Sequence, residues 1–136
     1  MFLLDTNVIS ELRNGKPQQS ASVRAWADSL PVNQLYLSAV TALELEIGVL
    51  RMERKDAAQG RILRAWATTV LQQFDGQILP FTGETALLCA GMQVPDPRSF
   101  RDSMIAATAQ QHSLMLVTRN VADFEGLSIK MLNPWE

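Results

Sequence analysis

One cysteine and one histidine stand in the whole chain of 136 residues. Each scarcity excludes a class of protein. A lone Cys89 cannot close an intramolecular disulfide, so no disulfide framework holds this chain together. One histidine and one cysteine also supply too few nitrogen and sulfur ligands for a tetrahedral zinc site. Long apolar runs are missing too. The N-terminal stretch Phe2-Leu3-Leu4 is far too short to span a bilayer. It is not a secretory leader, because a charged n-region and a long h-region are both lacking. The expectation is a cytoplasmic protein with no membrane partner. Nor is there an excess of positive charge. Twelve Lys and Arg against fourteen Asp and Glu leave a net charge of −2, not the basic balance usual in nucleic-acid binders. That objection weakens if several acids hold metal ions, which cancel their charge locally.

What is present suits one domain, residues 1–136, with a real core: 47% of the residues are hydrophobic and 19% charged. No repeat, linker or low-complexity tract interrupts it. Phe2-Leu3-Leu4 reads as a buried strand that ends at Asp5. A short helix follows, with Val8, Ile9 and Leu12 on one side, then a turn at 14–17 marked by Gly15 and Pro17. Helical spacing predicts a helix over 20–30, and 35–38 reads as a strand. From Thr41 a strong helix is expected, apolar nearly all round and so buried. Val40, Leu43, Ile47 and Leu50 form its main stripe, with Leu45 and Val49 on another side. Further helices are predicted over 57–74, over 82–92 with Thr82 as N-cap, and over 99–112 with Ser99 as cap. The remaining strands are 77–81, 114–117 and 127–132, the last alternating as an edge strand would. Strands alternating with helices imply an α/β fold with a parallel sheet covered on both faces.

In such sheets ligands bind beyond the C-terminal ends of the strands. Asp5 ends the first strand, although helix capping explains it equally well if it is taken alone. Glu44 and Glu46 flank the stripe of the third helix at similar angles on opposite sides, so periodicity does not choose between them. Asp102 is in line with Ile105, Ala106 and Ala109 on an inward face, while Ser99-x-x-Asp102 also resembles a capping box. Asp123 lies in the loop after the fourth strand, and Asp96, between two prolines, ranks last. Carboxylates gathered at one sheet edge would raise each other's pKa unless cations neutralise them. Oxygen-only donors favour Mg²⁺ or Mn²⁺, which take one or two protein carboxylates and keep waters for phosphate.

Four short motifs carry a resemblance that runs, in order, through essentially the whole chain. They are Leu4-Asp5-Thr6-Asn7-Val8, Glu44-Leu45-x-x-Gly48, Asp102-x-x-Ile105-Ala106-Ala107-Thr108-Ala109 and Val117-Thr118-Arg119-Asn120-x-x-Asp123-Phe124. In these the sequence resembles the PIN-domain ribonucleases, in particular the VapC-like toxins of bacterial toxin–antitoxin pairs. The resemblance implies an α/β/α sandwich around a short, mostly parallel sheet. It implies a Mg²⁺- or Mn²⁺-dependent endoribonuclease that hydrolyses RNA through a metal-activated water, with transfer RNA a common family target. It also implies a small cognate antitoxin and a homodimer. It selects Glu44 over Glu46 and assigns the metal-binding catalytic acids to Asp5, Glu44, Asp102 and Asp123, supported by Thr6, Asn7, Thr118 and Asn120.

Asn7 argues against a haloacid-dehalogenase-type phosphatase, whose chemistry needs a second aspartate there as acid and base. His112, at a helix end, reads as a surface residue. Arg51, Arg54, Lys55, Arg61 and Arg64 form a basic cluster, either a solvated helix face or, through Arg51, Arg54, Arg61 and Arg64, a surface that steers RNA. Two rival readings stand beside the ribonuclease: a non-catalytic partner- or nucleic-acid-binding module of the same fold, and another Mg²⁺-dependent phosphoesterase or DNase.

Overall fold

A computed structural model describes residues 1–13 and 15–136. Five parallel strands, β1 (Phe2–Leu4), β2 (Leu35–Ser38), β3 (Ile78–Leu79), β4 (Met115–Val117) and β5 (Met131–Leu132), line up in the order β3-β2-β1-β4-β5. The first strand is therefore the central one. The chain winds from it to β2 and β3 on one side, then crosses back to β4 and β5 on the other. That makes the C-terminal edge at β1 and β4 the point where the winding reverses, the place where ligands bind in open α/β sheets.

Successive strand residues point to opposite faces. Leu3 and Leu116 enter a core with Ile105, Ala106 and Phe124, while Leu4 and Val117 enter a second core with Val8, Val23, Leu37 and Val70. Helices α5 (Gly83–Gly91) and α6 (Phe100–Gln111) cover the first face, and α1 (Thr6–Glu11), α2 (Ala21–Asp28) and α4 (Ala57–Gln73) cover the second. Helix α3 (Ala39–Lys55) serves both, with Val40 in one core and Leu45 in the other. The expected α/β/α sandwich is what the chain forms.

Local chemistry sets the helix ends. Ser38, Ser20 and Thr82 each accept a backbone N–H of the helix they precede, and Thr82 with Thr85 completes a capping box. Asp56 alone joins α3 to α4, and its Oδ1 accepts the N–H groups of Ala58 and Gln59, each at 3.1 Å. Gly60 is the closest point of this helical hairpin. A Cβ there would stand 2.5 Å from the Cα of Glu53. Glu11, buried at the end of α1, pairs with Lys16 at 2.7 Å and accepts the Ser20 N–H at 2.8 Å, which pins the segment between α1 and α2. Trp26 packs edge-on against Phe2, Trp66 joins the second core, and Trp135 lies under the Arg119 guanidinium.

Four expectations need correction. The third helix is not apolar all round: Leu43 and Leu50 are more than half exposed, and Thr41, Leu45 and Val49 form its buried side. Its inner face is set by contact with α1 and α4 rather than by the longest apolar stripe. It begins at Ala39, capped by Ser38, not at Thr41. The strands expected over 77–81 and 127–132 shrink to two residues each, because only those residues find a parallel neighbour. The turn expected at 14–17 begins at Asn14, which lies outside the described residues; Gly15 adopts φ +81°, which a turn glycine tolerates.

Two outcomes follow. Ala in place of Gly within a helix ordinarily stabilises, yet Gly60→Ala must push α3 and α4 apart. A loss of about 1–3 kcal/mol is expected on urea unfolding; a gain in stability would contradict the close approach. The second concerns pH. The Lys16 hydrogen bond, and then the Ser20 N–H, hold the Glu11 carboxyl below its ordinary value of 4.5. A depressed acid stabilises the fold above its unfolded pKa and loses that contribution as pH falls through the folded value. Glu11→Gln should therefore melt several degrees lower at pH 7, with the gap from the unaltered protein closing as pH drops below 4.5. A gap independent of pH would show that the Glu11 charge is not what matters.

Candidate active site

Asp5 caps α1 and closes β1, so the two readings open for it in the sequence describe one residue with two roles. Its backbone N–H continues the ladder to Val117 at 2.9 Å. The Leu4–Val117 register sets Asp5 beside Thr118, the first residue beyond β4. The Thr118 hydroxyl donates to Asp5 Oδ2 at 2.8 Å, and the Thr6 N–H donates to Oδ1, also at 2.8 Å. Asn7 Nδ2 lies 3.4 Å from both Asp5 Oδ2 and Thr118 Oγ1, and the Asn120 N–H reaches Thr118 Oγ1 at 3.1 Å. Thr6, Asn7, Thr118 and Asn120 thus form one network whose centre is the Asp5 carboxylate.

Glu44 reaches the same place from α3. The Thr6 hydroxyl donates to its Oε1 at 2.8 Å, and the Arg101 guanidinium stands 3.6 Å from its Oε2. Glu46 points elsewhere. Arg64 grips both of its oxygens, at 2.6 and 3.0 Å, and holds Glu53 as well. The two glutamates that periodicity left equivalent are separated by the α3–α4 contact. That contact draws Glu46 into an ion pair, which lowers its pKa, and leaves Glu44 facing Asp5.

Asp102 enters from the first turn of α6. The Ser99 hydroxyl caps its N–H at 3.4 Å, the Ser99 half of a capping box. Asp123 sits in the 3₁₀ turn Val121–Phe124 that follows β4. Burial raises the Asp5 carboxyl above its ordinary range. Its hydrogen bonds oppose this, and the charges of Glu44 and Asp123 add to it. Asp102 is raised by burial and by Asp5 and Asp123. Asp5 is thus the acid on which the others converge: Glu44 and Asp123 act on its charge, and it acts with Asp123 on that of Asp102. Asp96 lies on the exposed loop between α5 and α6, away from them.

Among the described residues, no three His, Cys, Asp or Glu side chains stand close enough to share one ion. A donor set of oxygens only, on acids that raise one another's pKa, fits a hard divalent cation held by one or two carboxylates. It fits no zinc site.

The basic cluster divides. Arg51, Arg54, Lys55 and Arg61 are exposed, with Arg54 and Lys55 in the last turn of α3, where cations complement the helix dipole. Arg64, half-buried, is paired with Glu46 and Glu53. Cations that the sequence reading passed over lie nearer the acids. Arg101 touches Glu44, and Arg13 and Lys16 line a cavity of about 220 Å³ that also meets Thr6 and Glu44. Only the position of Arg101 next to Asp102 could have signalled the first of these. His112 is exposed at the end of α6, as expected.

Comparisons with known proteins agree with this geometry. Toxin FitB of Neisseria gonorrhoeae is 38% identical, with 99% of each chain covered. VapC ribonuclease Y4jK of Sinorhizobium fredii is 36% identical over 100% of this chain and 99% of its own. The crystal structure of FitAcB from Neisseria gonorrhoeae superposes with a TM-score of 0.90 at 37% identity, covering 100% of this chain and 99% of that one. FitAB bound to an IR36 DNA fragment gives 0.88 at 36% identity, covering 100% of this chain and 96% of that one. Residues 2–127 match the PIN domain, and with relatives this similar across their full lengths the chain belongs to the PIN domain family.

Proposed function

We propose that this protein is a Mg²⁺- or Mn²⁺-dependent endoribonuclease that acts as the toxin of a toxin–antitoxin pair. The observation that carries this is the gathering of acids about Asp5: Thr6 bonds both Asp5 and Glu44, and the charges of Glu44, Asp102 and Asp123 act on or are acted on by that of Asp5. A fold gains nothing from such repulsion unless a cation relieves it. The printed names of the relatives, ribonuclease and toxin, point the same way. The partner would be a small antitoxin, and a second copy of the chain is implied by resemblance. Similar toxins appear in solved toxin–antitoxin complexes, one of them on DNA. No helix among the described residues is long and apolar enough to cross a membrane, in keeping with a cytoplasmic role.

A divalent ion, when bound, supplies the charge that acidifies a water molecule and offsets the phosphate. The protein's own residues do the positioning. Thr118, the Thr6 N–H and Asn7 fix the Asp5 carboxylate, so its remaining lone pairs have one direction in which to bind. Thr6 spans the site, giving its N–H to Asp5 and its hydroxyl to Glu44. Asp102 on α6 and Asp123 in the turn after β4 add their charge near Asp5. No side-chain nucleophile is needed, which suits a site with no Ser, Cys or His attacking group.

The test is cleavage of labelled RNA and DNA with Mg²⁺ or Mn²⁺ and then with EDTA. RNA cleavage that stops on chelation is expected. Asp5→Asn and Glu44→Gln should each lose about 10- to 100-fold or more in rate, since even a group that only orients a metal ligand costs that much when removed. Glu46→Gln should keep most of the activity, since Glu46 faces Arg64. Equal losses from Glu44→Gln and Glu46→Gln would refute the choice between them. A well-folded Asp5→Asn protein that still cleaves would refute the site. Asp102→Asn offers a separate check. It removes a charge repelled by Asp5 and Asp123, so it should abolish cleavage yet raise the melting temperature measured in EDTA. A lower melting temperature would mean that the Asp102 charge supports the fold.

A further inference from the structure

Among the described residues, one cation forms an ion pair with the carboxylates gathered about Asp5. Arg101 Nη1 stands 3.6 Å from Glu44 Oε2, with the Arg101 side chain 53% exposed and that of Glu44 21% exposed. We propose that Arg101 is a phosphate-binding residue of the active site, held in the substrate-free protein as the counter-ion of Glu44 and released to the scissile phosphate when a divalent ion takes its place. This rests on the nuclease reading and adds a residue to it.

The geometry suits a placeholder better than a structural tie. A committed guanidinium–carboxylate bond is about 2.7–2.9 Å long and often bidentate; Arg64 on Glu46 is bidentate and close to that length, at 2.6 and 3.0 Å. Arg101 on Glu44 is neither. Its pair is longer, single and open to solvent, so little is lost when it breaks. The Glu44 oxygen it touches is also the one left over, because Thr6 holds the other. That free oxygen is what an incoming cation would bind.

Position favours the second half of the role. Arg101 directly precedes Asp102 in the first turn of α6 and reaches Glu44 on α3, so its guanidinium stands between two of the acids' helices. Hydrolysis adds water across one P–O bond. The water oxygen joins phosphorus, the ester oxygen leaves with a proton, and no oxidant or reductant takes part. Charge builds on the non-bridging oxygens as this happens. A planar guanidinium with several N–H donors matches that trigonal group in a way a lysine ammonium does not. Arg101, exposed and in no other ion pair among the described residues, has the freedom to turn from Glu44 to such an oxygen.

The two halves predict effects of opposite sign. Arg101→Ala should lower kcat on a single-stranded RNA oligonucleotide at saturating Mg²⁺ by about tenfold or more, with a smaller change in KM. The same variant, without RNA, should bind Mn²⁺ about two- to fivefold more tightly by electron paramagnetic resonance, because a competing cation is gone. Arg101→Lys should fall between the two proteins in kcat. A merely structural role would weaken ion binding and rate together. A kcat within about twofold of the unaltered protein, or an Mn²⁺ affinity that is unchanged or lower, overturns the proposal. The unaltered protein separates the two readings. If it cleaves no RNA, the nuclease assignment fails. If it cleaves and Arg101→Ala is unimpaired, only the role of Arg101 fails.

Discussion

The pairing of β1 between β2 and β4 is the constraint on which the rest depends. Three apolar residues, covered on both faces, have no solvent side, so a slip of one position would turn each side chain into the opposite core. Leu3 and Leu4 belong to different cores, and this holds the register. Register in turn sets Leu4 against Val117, and therefore Asp5 against Thr118. An aspartate that is 7% exposed would be costly without donors; the Thr118 hydroxyl and the Thr6 N–H supply them. The packing of a three-residue strand thus decides the orientation of a carboxylate beyond its end.

The acids of this protein fall into two electrostatic kinds. Glu11 and Glu46 are paired with Lys16 and Arg64, and their pKa values are pulled down. Asp5 and Asp102 are pushed up by burial and by other carboxylates. The first kind ties segments together: Glu11 the stretch between α1 and α2, Glu46 the α3–α4 hairpin. The second kind is an unfavourable arrangement that packing maintains, and ligand binding is what would relieve it. Sites of function commonly hold this kind of local conflict with stability. The hydroxyls and amides of Thr6, Asn7, Thr118 and Asn120 make the conflict tolerable by directing oxygens without cancelling charge.

The hairpin of α3 and α4 shows how position sorts similar residues. Glu44 and Glu46 are two apart on one helix, and Arg61 and Arg64 three apart on the next. Gly60 lets the helices approach where Arg64 meets Glu46 and Glu53. Arg61 stays exposed. On the far side of α3, Glu44 turns to Thr6 and Arg101.

Much of this could be read from the residues in order. Alternating apolar strands and amphipathic helices dictate a covered parallel sheet, and an aspartate closing an apolar strand must sit at its C-terminal edge. The spacing of four short motifs points to the family. These features are local, written in consecutive residues. Which side of α3 is buried, where β3 and β5 stop, which glutamate turns inward and which arginine is spent on a surface pair depend on neighbours distant in the chain. Leu43 and Leu50 are apolar yet exposed because α1 and α4 press on Thr41, Leu45 and Val49 instead. Arg101 meets Glu44 only because α6 returns to the edge where α3 began. The sequence by itself determined the elements and the chemistry carried at the edge of the sheet. Only the tertiary structure decided which charges face each other there, because Coulomb attraction and repulsion follow distance in space, not separation along the chain.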